Sequence, residues 1–437
     1  MKYTSLDLLH NHHLERSSKS FSKETLASKM HQHCKSKIAT KFKVNGDYGR
    51  NLLLSIFLPI LILILFCQNA LAINSEIYPE LSKANYVFLI DQDTKEVLLE
   101  RNADEKIAPS SMTKLMTAYV IFSQLKKGKL NLLNKCLIGK EAYKKSGSTM
   151  FLNYGDIVTI DQLITGLLVV SGNDAAIALA EISSGSIEAF ANLMNQTAIE
   201  IGLKNSHFMN PHGLNQIGHF MSIRDLGMLT IKIRQDFPEY THYFSTTNFT
   251  YGNITQHNRN PLLKKDYEGV TGMKTGHTNE GGYGIVGTVT RGSRRLVGVT
   301  NEAKTPRQRE KIITELFDYG FNNYQKITLF NKNYPITKVK VWMGEKNSID
   351  IVSNQDIAIT IPRDKTLNDL EVKINYKGPL YTPIAAGSKV ATLTIKVSGK
   401  KVREVSLFAK ENVDKAGYFK RIIEITKYKL NQFFNII

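Results

Sequence analysis

Cysteine is scarce in this chain, with three in 437 residues, and two of them, Cys34 and Cys67, lie ahead of residue 68. Loss of that leader would leave Cys136 alone, which excludes an intramolecular disulfide framework. The stretch NKCLIGKEA offers Cys136 no neighbouring base, so it reads as a small buried hydrophobe and not as a nucleophile. Acidic residues are also short, 39 against 57 lysines and arginines, for a formal net charge of +18. No nucleic-acid motif or aromatic platform accompanies that excess, so an anionic surface fits it better than a nucleic-acid groove. The histidines show no metal-ligand spacing, and neither a metal nor an organic cofactor is expected. Internal repeats and low-complexity segments are absent. The longest apolar run, residues 52–67, is slightly short for a full membrane span.

That run is preceded by Arg50 and followed by QNALA, with Ala70 and Ala72 at the spacing a signal peptidase reads. The pattern predicts export with cleavage after Ala72. An uncleaved N-terminal anchor is the alternative, and either places the rest of the chain outside the cytoplasm. The basic leader is long for a signal peptide, and Met30 is a second candidate start. A lipoprotein box at Cys67 is disfavoured, because bulky Phe66 stands where a small residue is needed.

At 42% hydrophobic and 22% charged residues the chain is globular, and its length calls for more than one domain. NYVFLIDQDTKEVLLERN reads as a β-hairpin. PSSMTKLMT opens an amphipathic helix with Met112, Leu115, Met116, Tyr119 and Phe122 on one face and Gly128 as its stop. Thr159 and Gln162 stand at capping-box spacing before an almost wholly apolar, buried helix. SGNDAAIALAEI begins another helix, and Ser186 caps one running towards Gly202. Beyond Pro238 the pattern turns to β, and RQREKIITELFDYGF closes the block as a helix. A hairpin, helices, strands and a final helix imply a sheet whose first strands pair with its last, with helices on its faces. From about Thr328 to Phe408 alternating strands predict a small all-β domain. The terminal segment places Phe419, Ile422, Ile423, Leu430, Phe433 and Ile437 on one face among lysines, as in a helix lying at a membrane interface or one packed on the protein.

The candidate chemistry begins at Ser111. Residues three apart share a helix face, so Ser111 and Lys114 present a hydroxyl beside an amine, whereas Ser110 pairs with Thr113. A serine needs a neighbour to take its proton, and a lysine serves only when its pKa is pulled down. The helix dipole, burial or a second cation could do that. S-x-x-K alone is weak, and an N-cap serine with a solvated lysine is the plain alternative. Further on come Ser171 and Asn173 in VVSGNDAA, then Lys274, Thr275, Gly276 and His277 in TGMKTGHTNEGGYG.

S-x-x-K, S-x-N and K-T-G in that order resemble the penicillin-recognising serine enzymes. GSTMFLNYGDIVTIDQLITGLLVVSGNDAAIALAE, HFMNPHGL, DFPEYTHYFS and QHNRNPLL narrow the resemblance to the low-molecular-mass penicillin-binding proteins that act as D-alanyl-D-alanine carboxypeptidases. It covers roughly residues 85–324 closely and the β-domain and terminal helix more loosely. It implies an α+β, transpeptidase-like domain with an antiparallel sheet, then a β-domain and an amphipathic helix. The expected division is a leader and signal peptide at 1–72, a catalytic domain at 73–325, a β-rich domain at 326–410 and a membrane-associating helix at 411–437.

The resemblance also implies roles. Ser111 attacks the penultimate D-alanine carbonyl of a peptidoglycan stem peptide, with Lys114 as base. Ser171 passes a proton to the departing amine, and Asn173 holds the substrate amide and positions Lys114. Lys274 keeps Lys114 partly neutral and attracts the terminal carboxylate, which Thr275 hydrogen-bonds. The backbone amides of Ser111 and His277 form the oxyanion site, and Gly276 allows close approach. Arg259 and Arg309 line the cleft, a surface salt bridge for each being the alternative. β-Lactams are the expected inhibitors, and the expected place is peripheral, on the periplasmic face of the inner membrane. Three rival readings are a class A-like β-lactamase, whose E-x-x-x-N loop Glu200 and Asn205 fail to match by one residue, a peptidoglycan endopeptidase, and a non-catalytic wall-binding protein.

Overall fold

A computed structural model describes residues 3–7 and 73–434 of the chain. The apolar run, the Ala72 cleavage site, Met30, Cys34 and Cys67 lie outside the described residues. The expected hairpin forms from β1 (Tyr86–Asp91) and β2 (Val97–Arg101). Asp91 shapes its turn, with Oδ1 accepting from the amides of Asp93 at 3.0 Å and Thr94 at 3.2 Å.

A 3₁₀ turn over Ser110–Thr113 leads into α1 (Lys114–Lys126). The expectation of an amphipathic helix is corrected here: every side chain from Lys114 to Phe122 is buried. Over Lys114–Phe122 the helix runs through the middle of the domain with neighbours on all sides, so that stretch has no solvent face to carry polar residues. The threonine just before it and the one within it are satisfied internally. Thr113 pairs with His219, and Thr117 donates to the Pro211 carbonyl. The layer around it holds α2 (Ile160–Val169), α3 (Asn173–Ser184), α4 (Ile187–Glu200) and α5 (Ile223–Asp236). The capping box at Thr159 and Gln162 and the cap at Ser186 form as their sequences predict.

After Pro238 the chain makes a 3₁₀ helix before turning to β, because Pro238 starts a tight turn that buries Tyr243 and Phe244. Then follow β3 (Val270–Thr278), β4 (Gly282–Arg291), β5 (Arg294–Ala303) and α6 (Pro306–Asn323). The sheet order is β2-β1-β5-β4-β3 and every pairing is antiparallel, so the first strands join the last as expected. Val87 to Ile90 are buried in succession, which follows from helices covering both faces of the sheet. Strand β3 is one edge of the sheet, and it faces the Ser110 turn.

The second domain is built from β6 (Tyr324–Phe330), β7 (Thr337–Trp342), β8 (Ser348–Val352), β9 (Ile357–Pro362), β10 (Leu370–Lys377), β11 (Lys389–Val397) and β12 (Lys400–Ala409). Strands β10, β11, β12, β8 and β7 are neighbours in that order, with Tyr3–Asp7 along the outer edge of β10, and β6 pairs with β9 separately. Burial alternates along β10 and β11, as it must where only one face meets the core. Polar contacts join the domains: Lys326 Nζ lies 2.8 Å from Asp93 and Thr360 Oγ1 lies 2.9 Å from Asp91. The chain closes with α7 (Tyr418–Phe434), held to β7 where the Met343 amide donates to Glu424 at 2.6 Å and Tyr428 packs on Trp342. Phe419, Ile423 and Leu430 on that helix are exposed. No helix among the described residues is long and apolar enough to cross a membrane.

Candidate active site

The site forms where the Ser110 turn, the start of α3 and the edge strand β3 converge. Ser110 holds φ at 52° and Ser171 at 64°, a left-handed conformation that non-glycine residues adopt at a cost. Both residues flank the reacting hydroxyl, so the strain sits where position matters most. Gly213 makes the Ser110 turn possible: its φ is 86°, and a Cβ there would lie 1.8 Å from the Ser110 carbonyl oxygen. Gly276 does the same from the other side, since its Cβ would come within 3.0 Å of the Pro109 carbonyl and Ser110.

Lys114 is fully buried, and its Nζ has three partners: Ser111 Oγ at 2.9 Å, Asn173 Oδ1 at 2.8 Å and the His212 carbonyl at 2.8 Å. Two of these are acceptors only. A neutral amine therefore spends its two hydrogens on Asn173 and His212 and turns its lone pair to the Ser111 hydroxyl. Burial, and then the nearby charge of Lys274, hold the Lys114 pKa well below the ordinary lysine range. The arrangement is a nucleophile beside a base, oriented by two fixed groups.

Asn173 is itself fixed, its Nδ2 donating to the Ser146 carbonyl at 2.9 Å and its backbone amide to the Ser148 carbonyl at 2.7 Å. Next to it, Asp174 accepts from the amides of Met150 and Leu152 and so ties down the loop that forms one wall of the cleft. Burial outweighs those hydrogen bonds and leaves its carboxyl pKa raised. The motifs gave no reason to single out Asp174. Nor did they point to the His212 carbonyl, although NPHGL was the segment to examine. His212 sits in a turn braced by Asn210, whose Oδ1 accepts from the Gly213 amide at 2.7 Å.

Lys274 is buried on β3, donates to the Thr275 carbonyl at 3.1 Å, and has its pKa lowered to about 7 by burial and then by Arg259 and Arg309. Ser111, Ser171, Thr275, Gly276, His277, Arg259 and Arg309 all line one cleft of about 690 Å³. His277 stacks on Tyr283 with ring centroids 3.9 Å apart, and Arg309 lies 5.9 Å over the same tyrosine. Arg309 is buried, its Nε has no hydrogen-bond partner, and burial lowers its pKa. Arg259 is exposed and donates to Gln256 Oε1 at 3.3 Å. Neither arginine takes part in an ion pair among the described residues. A buried guanidinium without a carboxylate is poised to receive one. Glu200 stands at the exposed end of α4, bonded to Gln196, and is no part of the cleft. Cys136 is buried, and burial raises its thiol pKa. Among the described residues no cluster of His, Cys, Asp and Glu could hold a metal.

The family model for D-alanyl-D-alanine carboxypeptidase matches residues 74–305, and the model for the penicillin-binding protein 5 C-terminal domain matches residues 324–415. The chain belongs to the D-alanyl-D-alanine carboxypeptidase family. It is 35% identical over 346 residues to the D-alanyl-D-alanine carboxypeptidase DacF of Bacillus subtilis, covering 77% of this chain and 87% of that one. With DacC of Escherichia coli the identity is 35% over 379 residues, 85% of this chain and 94% of its relative. Penicillin binding protein 5 from Haemophilus influenzae matches in structure with a TM-score of 0.72 at 33% identity, over 76% of this chain and 98% of that one. The carboxypeptidase family thus agrees with the resemblance seen in the motifs, and its members are serine-type peptidases with the fold described above.

Proposed function

We propose that the chain removes the terminal D-alanine from peptidoglycan stem pentapeptides through an acyl-enzyme on Ser111, and that β-lactams block it by acylating the same hydroxyl. The observation that carries this reading is the trio of partners around Lys114, which aims an amine lone pair at Ser111. Lys114 takes the Ser111 proton as Oγ attacks the penultimate D-alanine carbonyl. The backbone amides of Ser111 and His277 receive the oxyanion; losing one such donor typically slows acyl transfer about 10²- to 10³-fold. The C–N bond breaks, Ser171 passes a proton to the leaving amine, and Asn173 holds the substrate amide. Lys274, Thr275, Arg259 and Arg309 bind the terminal carboxylate. Water then hydrolyses the ester, giving the tetrapeptide and restoring Ser111.

The division into a leader and signal peptide at 1–72, a catalytic domain at 73–325, a β-domain at 326–410 and a membrane-associating helix at 411–437 belongs to the same proposal. Export and cleavage after Ala72 would remove the Tyr3–Asp7 strand and free the edge of β10. The exposed Phe419, Ile423 and Leu430, with Lys420, Lys427 and Lys429 on the same helix, support peripheral attachment to an anionic membrane on its periplasmic side.

The test is release of free D-alanine from an N-acylated peptide ending in L-Lys-D-Ala-D-Ala, with Ser111→Ala alongside. Release by the unmodified chain, lost in the variant and blocked by penicillin, is the expected result. Penicillin labelling of Ser111 without D-alanine release would overturn the carboxypeptidase reading, and rapid penicillin turnover would assign the chain to the β-lactamase branch.

A further inference from the structure

Two of the groups around Lys114 come from separate segments: Ser111 from the Ser110 turn, and the His212 carbonyl from a loop closed by the backbone pairing of His207 with Phe220. Residues 214–218 of that loop are exposed. Its inner limb therefore needs a tie to keep it in register with the turn.

His219 lies between them. It is buried, and its ring nitrogens reach opposite ways: Nδ1 accepts from the Met209 amide at 3.0 Å, and Nε2 lies 2.9 Å from Thr113 Oγ1. An amide can only donate, so Nδ1 carries no proton and Nε2–H donates to the threonine. Burial, and then the charge of His207, lower the His219 pKa to about 4, so the ring is neutral and keeps this one tautomer near neutral pH. Both ends of the link are firm. Asn195 on α4 accepts from the Phe208 amide and donates to the Phe208 carbonyl, each at 2.8 Å, which fixes the chain next to Met209. Thr113 immediately precedes Lys114, and a Cβ on Gly213 would come within 2.7 Å of its hydroxyl, so the turn and the loop already touch there.

We propose that His219 is a positioning residue for acyl transfer, its ring locking the His212 carbonyl and the Ser111 hydroxyl at one spacing across Lys114. The inference rests on the carboxypeptidase reading above, with Lys114 as base. The Lys114 lone pair meets Ser111 only while Asn173 and the His212 carbonyl take the amine's two hydrogens. A loop that slid against the turn would swing the amine away, and a misplacement of about 1 Å arising far from the chemistry can cost about 10²-fold. Imidazole suits this task because its donor and acceptor are fixed on opposite edges of one rigid ring. The groups assigned to the substrate carboxylate stand on β3, on α6 and at Arg259, segments the imidazole does not bridge, so binding should be spared.

His219→Asn keeps an acceptor for the Met209 amide and removes the bond to Thr113, and Thr113→Val removes the same bond from its other end. In the full chain each is expected to lower kcat for D-alanine release, and the rate at which penicillin acylates Ser111, about tenfold with KM unchanged. The double variant should fall no further, because both changes delete one interaction. His207→Ala is the control: His207 Nδ1 donates to the Gly218 carbonyl at 2.7 Å at the exposed end of the same loop, so its loss should lower Tm and leave kcat alone. Unchanged kcat, losses that multiply in the double variant, a raised KM in place of a lowered kcat, or an equal fall in His207→Ala would each overturn the inference. Thr113→Val and His207→Ala decide it by themselves if His219→Asn does not fold. An unmodified chain that penicillin acylates but that releases no D-alanine would overturn the carboxypeptidase reading alone, since the acylation rates still test His219. A chain that does neither would overturn both.

Discussion

The floor of the cleft and its mouth are built on opposite terms. On the floor Lys114 is sealed from water, has one group for each of its bonding directions, and rests on turns that only Gly213 and the strained Ser110 permit. At the mouth Arg259 is exposed and makes one long hydrogen bond, to a glutamine that borders an open hollow. Buried polar groups are costly to leave unpaired, so the floor tolerates little change. Solvent competes at the mouth, so each contact there is weaker and selects what enters more than how it reacts. Arg309 stands between the two, at the mouth by position and on the floor by burial.

The largest effect should come from the floor. Lys114→Ala is expected to lower kcat for D-alanine release about 10³-fold, the range of a positioned general base. Retention of a substantial fraction of activity in a folded variant would move the base elsewhere and dissolve the contrast. Gly213→Ala should cost about 4 kcal/mol of stability, since it adds a backbone clash to an unfavourable φ. Thermal unfolding measures this, and an unchanged Tm would mean the Ser110 turn yields easily.

The two arginines sharpen the comparison. Arg309→Gln should raise KM about 30-fold, as for loss of a shielded hydrogen bond to a charged group. Arg259→Gln should raise it only about threefold. Equal effects in steady-state kinetics would show that burial does not set the difference.

The smallest effect is a shift in pH dependence. Lys274 is charged below a pKa of about 7, so its attraction for a carboxylate is lost as pH rises through that value. The basic limb of kcat/KM for the free enzyme is expected there. Arg309 helps to depress this pKa, so Arg309→Gln should move the limb to higher pH. For stability the sign is set by proton uptake: from about 7 up to the ordinary lysine value of 10.5 the unfolded chain holds a proton at Lys274 that the folded chain lacks. This lysine's contribution therefore makes the fold more stable as pH rises through that window. Urea titrations of the unmodified chain and Lys274→Met across the window would detect it, and parallel curves would refute it.

Local chemistry was legible where partners are close in sequence. The spacing of Ser111 and Lys114, the box of Thr159 and Gln162, the cap at Ser186 and the alternation along β10 and β11 each depend on a few neighbouring residues. The β-domain is legible from its alternation as a whole, but Ser348–Val352 and Lys400–Ala409 do not stand out in the sequence as separate strands. Charged residues interrupt both, and pairing across the sheet decides them. The burial of α1 was missed for a related reason, because Thr113 and Thr117 look like solvent-facing residues until His219 and the Pro211 carbonyl are brought to them.

The sequence by itself determined which groups could react: a hydroxyl and an amine one helical turn apart, an asparagine at the head of a helix, and a lysine leading a strand. Only the tertiary structure decided how they are tuned. The His212 carbonyl that helps orient Lys114 lies 98 residues away in sequence and belongs to the backbone, which every residue carries alike. The burial that lowers the pKa of Lys114 and Lys274, the unpaired Nε of Arg309 and the hollow beyond Arg259 likewise arise from packing between distant segments. Side-chain identity is written in the chain, but desolvation and direction exist only once the chain has closed around them.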